Sequence, residues 1–268
     1  MISAIRILKE QIQYFHLVRR LSIYELRSLT SGNHLGVAWE IINPAIQVLI
    51  YWFVFGYGIR QRADVGGVEY FQWMFSGIIV WFFITQGVLK SSKSIYSKIR
   101  MLSKMNFPMS VIPNYVIFAQ LYPHLFILGL GMVLLQFFGY PVSIYYLQIP
   151  VYTIGLIAFL FGFSLITSTL ATIVRDVQMV LQSVMRMLLY LSPILWPPTL
   201  LPESWHTFLK FNPFYFIIEG YRSSLLGQGW YFIEHPVQTA YFFGVTGLVL
   251  MIGSYLHLKF RNQFIDFL

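Results

Sequence analysis

The sequence predicts an all-α integral membrane protein with six membrane-spanning helices. Of its 268 residues, 57% are hydrophobic, 19% are aromatic and 10% are charged, whereas soluble domains are about 25% charged. A helix needs about 20 mainly apolar residues to cross the hydrocarbon core of a bilayer. Six stretches meet this requirement, and they are residues 37–59, 70–89, 111–138, 150–174, 177–196 and 237–258.

The charge distribution predicts that both termini are cytoplasmic. Six crossings place the termini on the same side, and an inner N-terminus leaves thirteen of the 18 Lys and Arg residues in inner segments and four in outer segments. Arg186 is the remaining one and lies within a span. Cytoplasmic loops of membrane proteins carry such an excess of basic residues. The formal net charge of +8 therefore reflects membrane orientation and not nucleic-acid binding.

Residues 1–32 predict a helix on the membrane surface. Between positions 5 and 15, apolar residues recur at helical spacing, with basic and polar residues on the opposite side. This pattern is typical of interfacial helices. Arg20 and Arg27 extend the basic character, which favours contact with anionic lipid headgroups. The same pattern also fits an amphipathic helix packed on a partner.

Two connections between spans are distinctive. Residues 90–107 carry five basic residues among apolar residues at helical spacing, which predicts a short cytoplasmic helix along the membrane. Spans four and five are separated essentially by Arg175 and Asp176 alone. The chain must therefore turn tightly between these two spans.

Residues 203–227 predict two short helices that dip into the outer leaflet and return. Residues 204–211 and 214–226 have helical patterns separated by Asn212-Pro213, and each pattern is too short to cross the membrane and too apolar for a solvated loop. Such re-entrant backbone is tolerated where protein surrounds the turn. The alternative is a helical cap that lies flat on the outer membrane surface.

Arg186 lies about ten residues inside the predicted span 177–196, which corresponds to a depth of about 15 Å. A permanent charge is costly at that depth. One interpretation is that Arg186 faces a cavity or a subunit interface and meets an anionic group on a transported molecule. The other interpretation is that it pairs inside the bundle or extends to a lipid headgroup.

The sequence argues against several kinds of chemistry. The chain contains no cysteine, which removes disulfides, thiolate catalysis and cysteine metal sites. It has no phosphate-binding loop of the Walker A type, so it does not itself hold ATP in the usual manner. Its six histidines have no metal-ligand spacing. We therefore predict no catalytic residue, metal site or cofactor on this chain, and a membrane-bound transferase is disfavoured.

Three runs of the sequence, residues 17–44, 173–197 and 211–227, resemble the permeases of ABC-2 type polysaccharide exporters. The motifs that carry the resemblance are Leu35-Gly36-x-x-Trp39 followed by Asn43-Pro44, Arg175-Asp176, Ser192-Pro193, and Asn212-Pro213 followed by Arg222. Their order and spacing together are specific. Within this family, the chain looks most like the transmembrane subunit of wall teichoic acid exporters.

The resemblance implies a single transmembrane domain, residues 1–268, that works as half of a transporter. Two copies of the chain would form the path, and two separate ATP-binding-cassette subunits would bind ATP and Mg²⁺, so that the complex hydrolyses ATP. Residues 1–32 would form a gate helix, and residues 90–107 a coupling helix in an ATPase groove. The predicted coupling contacts are Ser94, Ile95, Lys98, Ile99 and Leu102.

The resemblance also implies a substrate and a direction of transport. The complex would export lipid-linked wall teichoic acid, an anionic glycopolymer, to the outer side of a bacterial plasma membrane. One alternative is the same architecture exporting an O-antigen or capsular polysaccharide. Another is an ABC-2 exporter of drugs or small lipids.

Two groups of residues are candidates for functional sites. Arginine binds phosphate bidentately, and aromatic rings offer flat surfaces to sugars, although aromatics in spans usually face lipid or core. The candidates for the substrate path are Arg186, Arg20, Arg27, Tyr51, Trp52 and Trp73. The candidates for an outer gate are Asn212, Pro213, Glu219 and Arg222, with Glu219 and Arg222 paired at i,i+3. Glu40 and Gln47 lie at i,i+7 on the first span, and one interpretation is a polar stripe toward a dimer interface. The other is that Glu40 simply lies at the cytoplasmic end of the span.

Overall fold

The computed structural model describes residues 2–30, 36–59, 64–102 and 108–267. Within these ranges the protein is all-α, and β pairing is confined to an isolated bridge between Val65 and Val68. The α-helices of the described residues are α1 (Ile2–Gln13), α2 (Phe15–Thr30), α3 (Trp39–Tyr51), α4 (Tyr70–Ser92), α5 (Ser94–Leu102), α6 (Val111–Phe137), α7 (Ile149–Ile173), α8 (Val177–Leu191), α9 (Glu203–Lys210), α10 (Pro213–Leu226), α11 (Tyr231–Glu234) and α12 (Pro236–Phe260).

Five helical segments among the described residues are long and apolar enough to cross a membrane. They are Trp39–Ile59, Tyr70–Ser92, Val111–Phe137, Ile144–Ile173 and Pro236–Phe264. The first segment combines α3 with a following π-helical stretch. Short 3-10 stretches extend α7 at its start and α12 at its end. All five coincide with spans predicted from the sequence, which confirms the all-α membrane fold.

The fifth predicted span is shorter than the sequence indicates. α8 has 15 residues, or about 23 Å at the helical rise, which is less than the roughly 30 Å hydrocarbon core. The helix ends at Leu191 because Pro193 disfavours helical backbone at the preceding residue, and Ser192 is extended with φ −94° and ψ 155°. The predicted span 177–196 is therefore corrected to a helix that ends five residues earlier, at Leu191.

The predicted gate helix, residues 1–32, forms two helices in the structure. α1 and α2 are separated at Tyr14, and α2 packs along α6. Val18 of α2 is fully buried, whereas Arg20 on the same helix is exposed. The apolar side of α2 therefore packs on the rest of the chain. Residues 31–32 of the predicted helix lie outside the described ranges.

The predicted re-entrant segment contains two helices of different character. α9 is largely exposed, with Leu209 as its buried residue. In α10, eleven of the 14 residues are buried, because it packs among α4, α7 and α12. α10 ends at Gly227, whose φ of +68° is readily adopted by glycine. This burial decides against a flat surface cap for α10, which lies inside the protein.

Two glycines allow α7 and α12 to pack closely. A Cβ on Gly162 would lie 2.8 Å from the Leu250 nitrogen, and a Cβ on Gly253 would collide with the Gly162 carbonyl oxygen. Because even one methyl group at either position would displace backbone, the sequence needs glycine there. The α7–α12 pair is consequently the most extensive helix contact among the described residues.

We predict that Gly253→Ala destabilises the bundle, because the added methyl group must push α7 and α12 apart. Overpacking typically costs about 1–3 kcal/mol, which should lower the melting temperature of the detergent-purified protein. Gly247→Ala is the matched control on α12, since a Cβ there would meet nothing within 4 Å. Equal melting temperatures for the two variants would contradict the close α7–α12 contact.

Candidate functional site

A cavity of about 380 Å³ opens between α3, α4, α6 and α8. α3 contributes one helical face, on which Glu40, Asn43, Gln47 and Tyr51 follow one another at intervals of three or four residues. α4 reaches the cavity as far as Lys90, two residues before its end. One end of the cavity therefore lies close to α5.

The cavity wall combines apolar and aromatic side chains with a set of polar ones, although the helices around it are largely apolar. Five amide side chains line it, and they are Asn43, Gln47, Gln86, Gln120 and Gln182. Amides both donate and accept hydrogen bonds, so this set suits a ligand rich in hydroxyl groups. Lys90 and Arg186 add two positive charges and Glu40 one negative charge. The lining thus carries a net positive charge.

Two buried polar atoms at the cavity have no hydrogen-bond partner within the described ranges, namely Gln120 Nε2 and Thr85 Oγ1. Gln120 is only 4% exposed, and its Oε1 accepts a hydrogen bond from Lys90 Nζ at 2.8 Å. Leaving a buried polar group unsatisfied costs about 1–3 kcal/mol. Neither atom has accessible surface in this arrangement, so a ligand or water molecule in the cavity bonds them only after a local movement of the side chain.

Arg186 and Tyr51 are the predicted path residues that line this cavity. Arg186 Nη2 donates to Ser183 Oγ at 3.3 Å, and in the described part of the chain no acidic side chain forms an ion pair with it. The Arg186 side chain is exposed, so its charge is available to a ligand. The described acidic side chains thus leave Arg186 without an ion pair in this subunit, and its place on the substrate path stays a prediction.

The other predicted path residues do not line the cavity. Arg20 and Arg27 lie on α2, and Trp52 packs edge-on against Phe71 with ring centroids 5.7 Å apart. Trp73 is 5% exposed, because its ring is covered by a guanidinium group within the core. This burial contradicts a place for Trp73 on the cavity wall. The roles of Arg20, Arg27 and Trp52 stay predictions.

Arg222 of α10 organises the end of the bundle that is remote from α5. This residue is 1% exposed, and its guanidinium lies 3.9 Å from the centroid of the Trp73 ring. Nε donates to the Trp73 carbonyl at 3.1 Å, and Nη2 donates to the Pro193 carbonyl at 2.5 Å. Nη1 donates to Glu219, which confirms the predicted i,i+3 pair. These contacts fasten α10 to α4 and to the segment after α8.

Asn212 and Pro213, predicted at the outer gate, begin α10. Asn212 Oδ1 accepts a hydrogen bond from the Phe214 backbone nitrogen at 3.0 Å, which caps the helix. Pro213 occupies the first turn, where its missing N–H is not needed. Asn212 Nδ2 donates to Ser192 Oγ at 2.9 Å. The four predicted gate residues therefore lie on or beside α10, held to Ser192-Pro193 beyond the cavity helix α8.

α5 corresponds to the predicted coupling helix, but two of its predicted contact residues face inward. Ser94 and Ile95 are buried within the subunit, and Ile95 belongs to an apolar cluster shared with α2 and α6. Packing has turned this face toward the chain itself, so these side chains are not available to another protein. Ile99 and Leu102 lie on α5, and their side chains fall outside the described part.

Lys98 joins α5 to α2 and α6. Its Nζ donates to Glu25 Oε2 at 2.6 Å and lies 4.7 Å from the centroid of the Tyr115 ring. Burial lowers the pKa of Lys98, and the hydrogen bond to Glu25 partly raises it again. We expected Lys98 to contact an ATPase. In the structure its charge instead forms an internal link between the predicted coupling and gate helices.

The sequence reasoning missed the amide lining and the buried His124 on the cavity wall. Gln86, Gln120 and Gln182 are isolated polar residues in separate apolar stretches, and the periodicity of one helix does not reveal that they converge. The available signal was the recurrence of neutral amides in predicted spans. In hydrocarbon, such groups are stable when they bond to a neighbouring helix or face a cavity.

An apolar helical bundle around a cavity with polar side chains in its wall, and with a short helix buried at one end, is an architecture found in membrane permeases. The chain belongs to the ABC-2 type transporter family, whose sequence profile matches residues 16–226. The matched range contains the four cavity helices and α10. Family membership therefore includes the whole candidate site.

Several curated proteins are similar to this chain over most of its length. An O-antigen export system permease protein RfbA of Klebsiella pneumoniae is 26% identical over 92% of this chain and 93% of its own. The RfbA protein of Myxococcus xanthus is 26% identical over 82% of this chain and 84% of its own. The inner membrane transport permease YadH of Escherichia coli K12 is also 26% identical, over 81% and 84% respectively.

We predict that Lys98→Glu lowers the melting temperature of the purified permease, because the reversed charge repels Glu25 inside a largely buried contact. The loss of a charge-assisted hydrogen bond lowers the free energy of unfolding by about 1–3 kcal/mol. The double variant Lys98→Glu with Glu25→Lys should recover most of this loss. Lys93→Glu, at an exposed neighbouring position, serves as the control. No recovery in the double variant would contradict a direct Lys98–Glu25 link.

Proposed function

We propose that this chain is the permease subunit of an ATP-driven exporter, and that its substrate is a lipid-linked polysaccharide of the O-antigen class. The observation that carries the proposal is the amide-lined, positively charged cavity between α3, α4, α6 and α8. Two of the relatives described above are named as O-antigen export permeases. The cavity chemistry and these names support the same class of substrate.

The cavity offers suitable contacts to both parts of such a substrate. Sugar hydroxyls donate and accept hydrogen bonds, as do the amides of Asn43, Gln86 and Gln120. Arg186 provides a guanidinium that can bind a phosphate or pyrophosphate group bidentately. Tyr51 adds an aromatic surface at the same wall. A polymer can move past several weak contacts of this kind more readily than past one strong site.

The proposed path needs a second copy of the chain. In the apolar part of the first span, 11% of the residues are buried, compared with 72% in the second span. The first span nevertheless supplies one wall of the cavity. A second subunit placed against α3 would cover this open side. The arrangement would leave both termini in the bacterial cytoplasm, as the distribution of basic residues predicts.

Energy in this proposal comes from two ATP-binding-cassette subunits that carry ATP and Mg²⁺. The chain is the transmembrane permease and not the ATPase. The surface proposed for these subunits is the side of α5 that faces away from Ile95, where Ser97 is exposed together with Lys93 just before the helix. Closure of the ATPase pair would move α5 as a rigid body, and the Lys98–Glu25 contact would carry α2 with it.

Wall teichoic acid, the substrate favoured by the sequence motifs alone, is the second candidate. The names of the relatives support the O-antigen alternative better. Both polymers are hydroxylated and can be lipid-linked, so the cavity chemistry does not separate them. Export assays distinguish the two directly.

The decisive experiment uses vesicles that contain the permease with its ATP-binding-cassette partner. Lipid-linked O-antigen polysaccharide, lipid-linked teichoic acid and a small fluorescent lipid are offered separately, with ATP or without it. ATP-dependent translocation of the O-antigen polysaccharide supports the proposal. Transport of teichoic acid alone would transfer the assignment to that polymer, and transport of the small lipid alone would overturn polysaccharide export.

We predict that Arg186→Ala reduces the initial rate of polysaccharide export by about tenfold or more, the effect of losing a charge-assisted hydrogen bond. The complex should still assemble, because Arg186 has no ion-pair partner among the described residues to leave behind. Arg186→Lys should retain intermediate activity, since it keeps the charge but not the bidentate geometry. Arg175→Ala, in the exposed turn before α8, is the control. Unchanged export by Arg186→Ala would remove this residue from the path.

A further inference from the structure

His124 of α6 connects the cavity with the interior of the bundle. It lines the cavity, yet it is only 4% exposed. Its ring stacks on Phe83 with centroids 4.8 Å apart and an interplanar angle of 14°. Its Nε2 shares a hydrogen bond of 3.1 Å with the hydroxyl of Tyr221. The imidazole is thus held in one orientation between the cavity wall and α10.

Tyr221 continues this connection across α10. Its side chain is fully buried, and its hydroxyl also shares a hydrogen bond of 2.5 Å with Thr153 Oγ1 on α7. Thr153 Oγ1 in turn donates to the Ile149 carbonyl at 2.8 Å. A chain of hydrogen bonds therefore runs from the cavity wall through α10 to α7, the helix that packs tightly on α12.

The next residue along α10 makes contacts in a different direction. Arg222 binds the Trp73 and Pro193 carbonyls, whereas Tyr221 binds His124 and Thr153. Two adjacent side chains thus hold α10 from separate sides. A shift of α6 at His124 therefore changes the Tyr221 contacts without first breaking the Arg222 contacts.

The cavity side of α6 also carries the unpartnered group described above. Gln120 lies one helical turn before His124, and its Nε2 has no hydrogen-bond partner among the described residues. A ligand hydroxyl that moves the Gln120 side chain and bonds its amide would therefore act on α6 within one turn of His124. From His124, the contact to α10 is the hydrogen bond to Tyr221.

We propose that His124 is a positioning residue that transmits occupation of the cavity to the buried helix α10 through the Tyr221 hydroxyl. The proposal rests on the proposed function, in which polysaccharide occupies this cavity. A ligand shifts such an equilibrium only if it binds one arrangement more strongly than the other. The hydroxyl-bearing polymer supplies this difference at Gln120, one turn from His124 on α6, and α10 responds because Tyr221 is bonded to His124.

The first measurement is the ratio of polysaccharide-stimulated to basal ATP hydrolysis in the reconstituted complex, with lipid-linked O-antigen polysaccharide as the probe. Tyr221→Phe removes only the hydroxyl and should lower this ratio at least threefold. His124→Phe keeps the stack on Phe83 and should lower the ratio similarly. The double variant should be no worse than either single variant, because both substitutions interrupt the same contact.

Tyr152→Phe is the matched control. Tyr152 is also a buried tyrosine whose ring contacts α10, since a Cβ on Gly220 would collide with it. Its hydroxyl, however, donates to Gln148 Oε1 at 3.1 Å, on its own helical segment and away from the cavity. A loss of packing alone would affect Tyr152→Phe and Tyr221→Phe alike. The proposed relay from His124 to Tyr221 instead predicts a lower ratio of stimulated to basal ATP hydrolysis for Tyr221→Phe alone.

A second measurement follows α10 itself and uses the absence of native cysteine. A bimane label on Gln228→Cys, an exposed position just after α10, should change emission when polysaccharide and ATP are added. Tyr221→Phe should remove the response to polysaccharide. If polysaccharide stimulates the wild-type complex, and Tyr221→Phe shows the same stimulation ratio and the same bimane response as the wild type, the relay is overturned. A wild-type complex that polysaccharide does not stimulate would overturn the proposed function instead, together with the relay that rests on it.

Discussion

The buried guanidinium of Arg222 is the constraint on which the arrangement around α10 depends. A charge removed from water costs several kcal/mol unless it is paired and hydrogen-bonded. Arg222 satisfies this requirement with Glu219, two backbone carbonyls and the Trp73 ring. Gly77 makes room for it, since a Cβ there would lie 2.5 Å from Nη2. Because the partners come from α4, α10 and the segment after α8, one side chain ties α10 to both neighbours, and any movement of α10 must carry them along or exchange these contacts.

α10 does not line the cavity, but polar contacts tie it to the cavity wall. With 14 residues it is about 21 Å long and too short to span the hydrocarbon core, and the backbone N–H groups of its first turn need partners. Asn212 meets this need at one end by capping the helix and bonding Ser192. At its centre, Tyr221 bonds His124 of the cavity wall. Of these polar groups, His124 is the one that lines the cavity, so it joins the short helix to the candidate path.

The sequence was sufficient for features that depend on local rules. Hydrophobic length predicted the spans, Asn212-Pro213 marked the break before α10, and the i,i+3 spacing predicted the Glu219–Arg222 pair. It was insufficient where several helices must be placed together. The burial of Trp73 depends on which face α4 turns inward, and a span that is apolar on all sides carries no such information. The convergence of isolated amides into one cavity was hidden for the same reason. α5 is amphipathic, but its sequence does not say whether the apolar side with Ile95 packs on this chain or on a partner.

The contacts of the bundle fall into two physical kinds, and this division limits how the protein can move. α7 and α12 meet through glycine backbone, where even one methyl group does not fit, so sliding of one along the other would cause collisions. α2, α5 and α10 are joined to their neighbours in part through polar groups, such as Lys98 with Glu25 and His124 with Tyr221. Polar contacts can be exchanged for a ligand or water at a small net cost. The transport cycle would therefore concentrate its movement in these three helices, around a frame formed by α7 and α12.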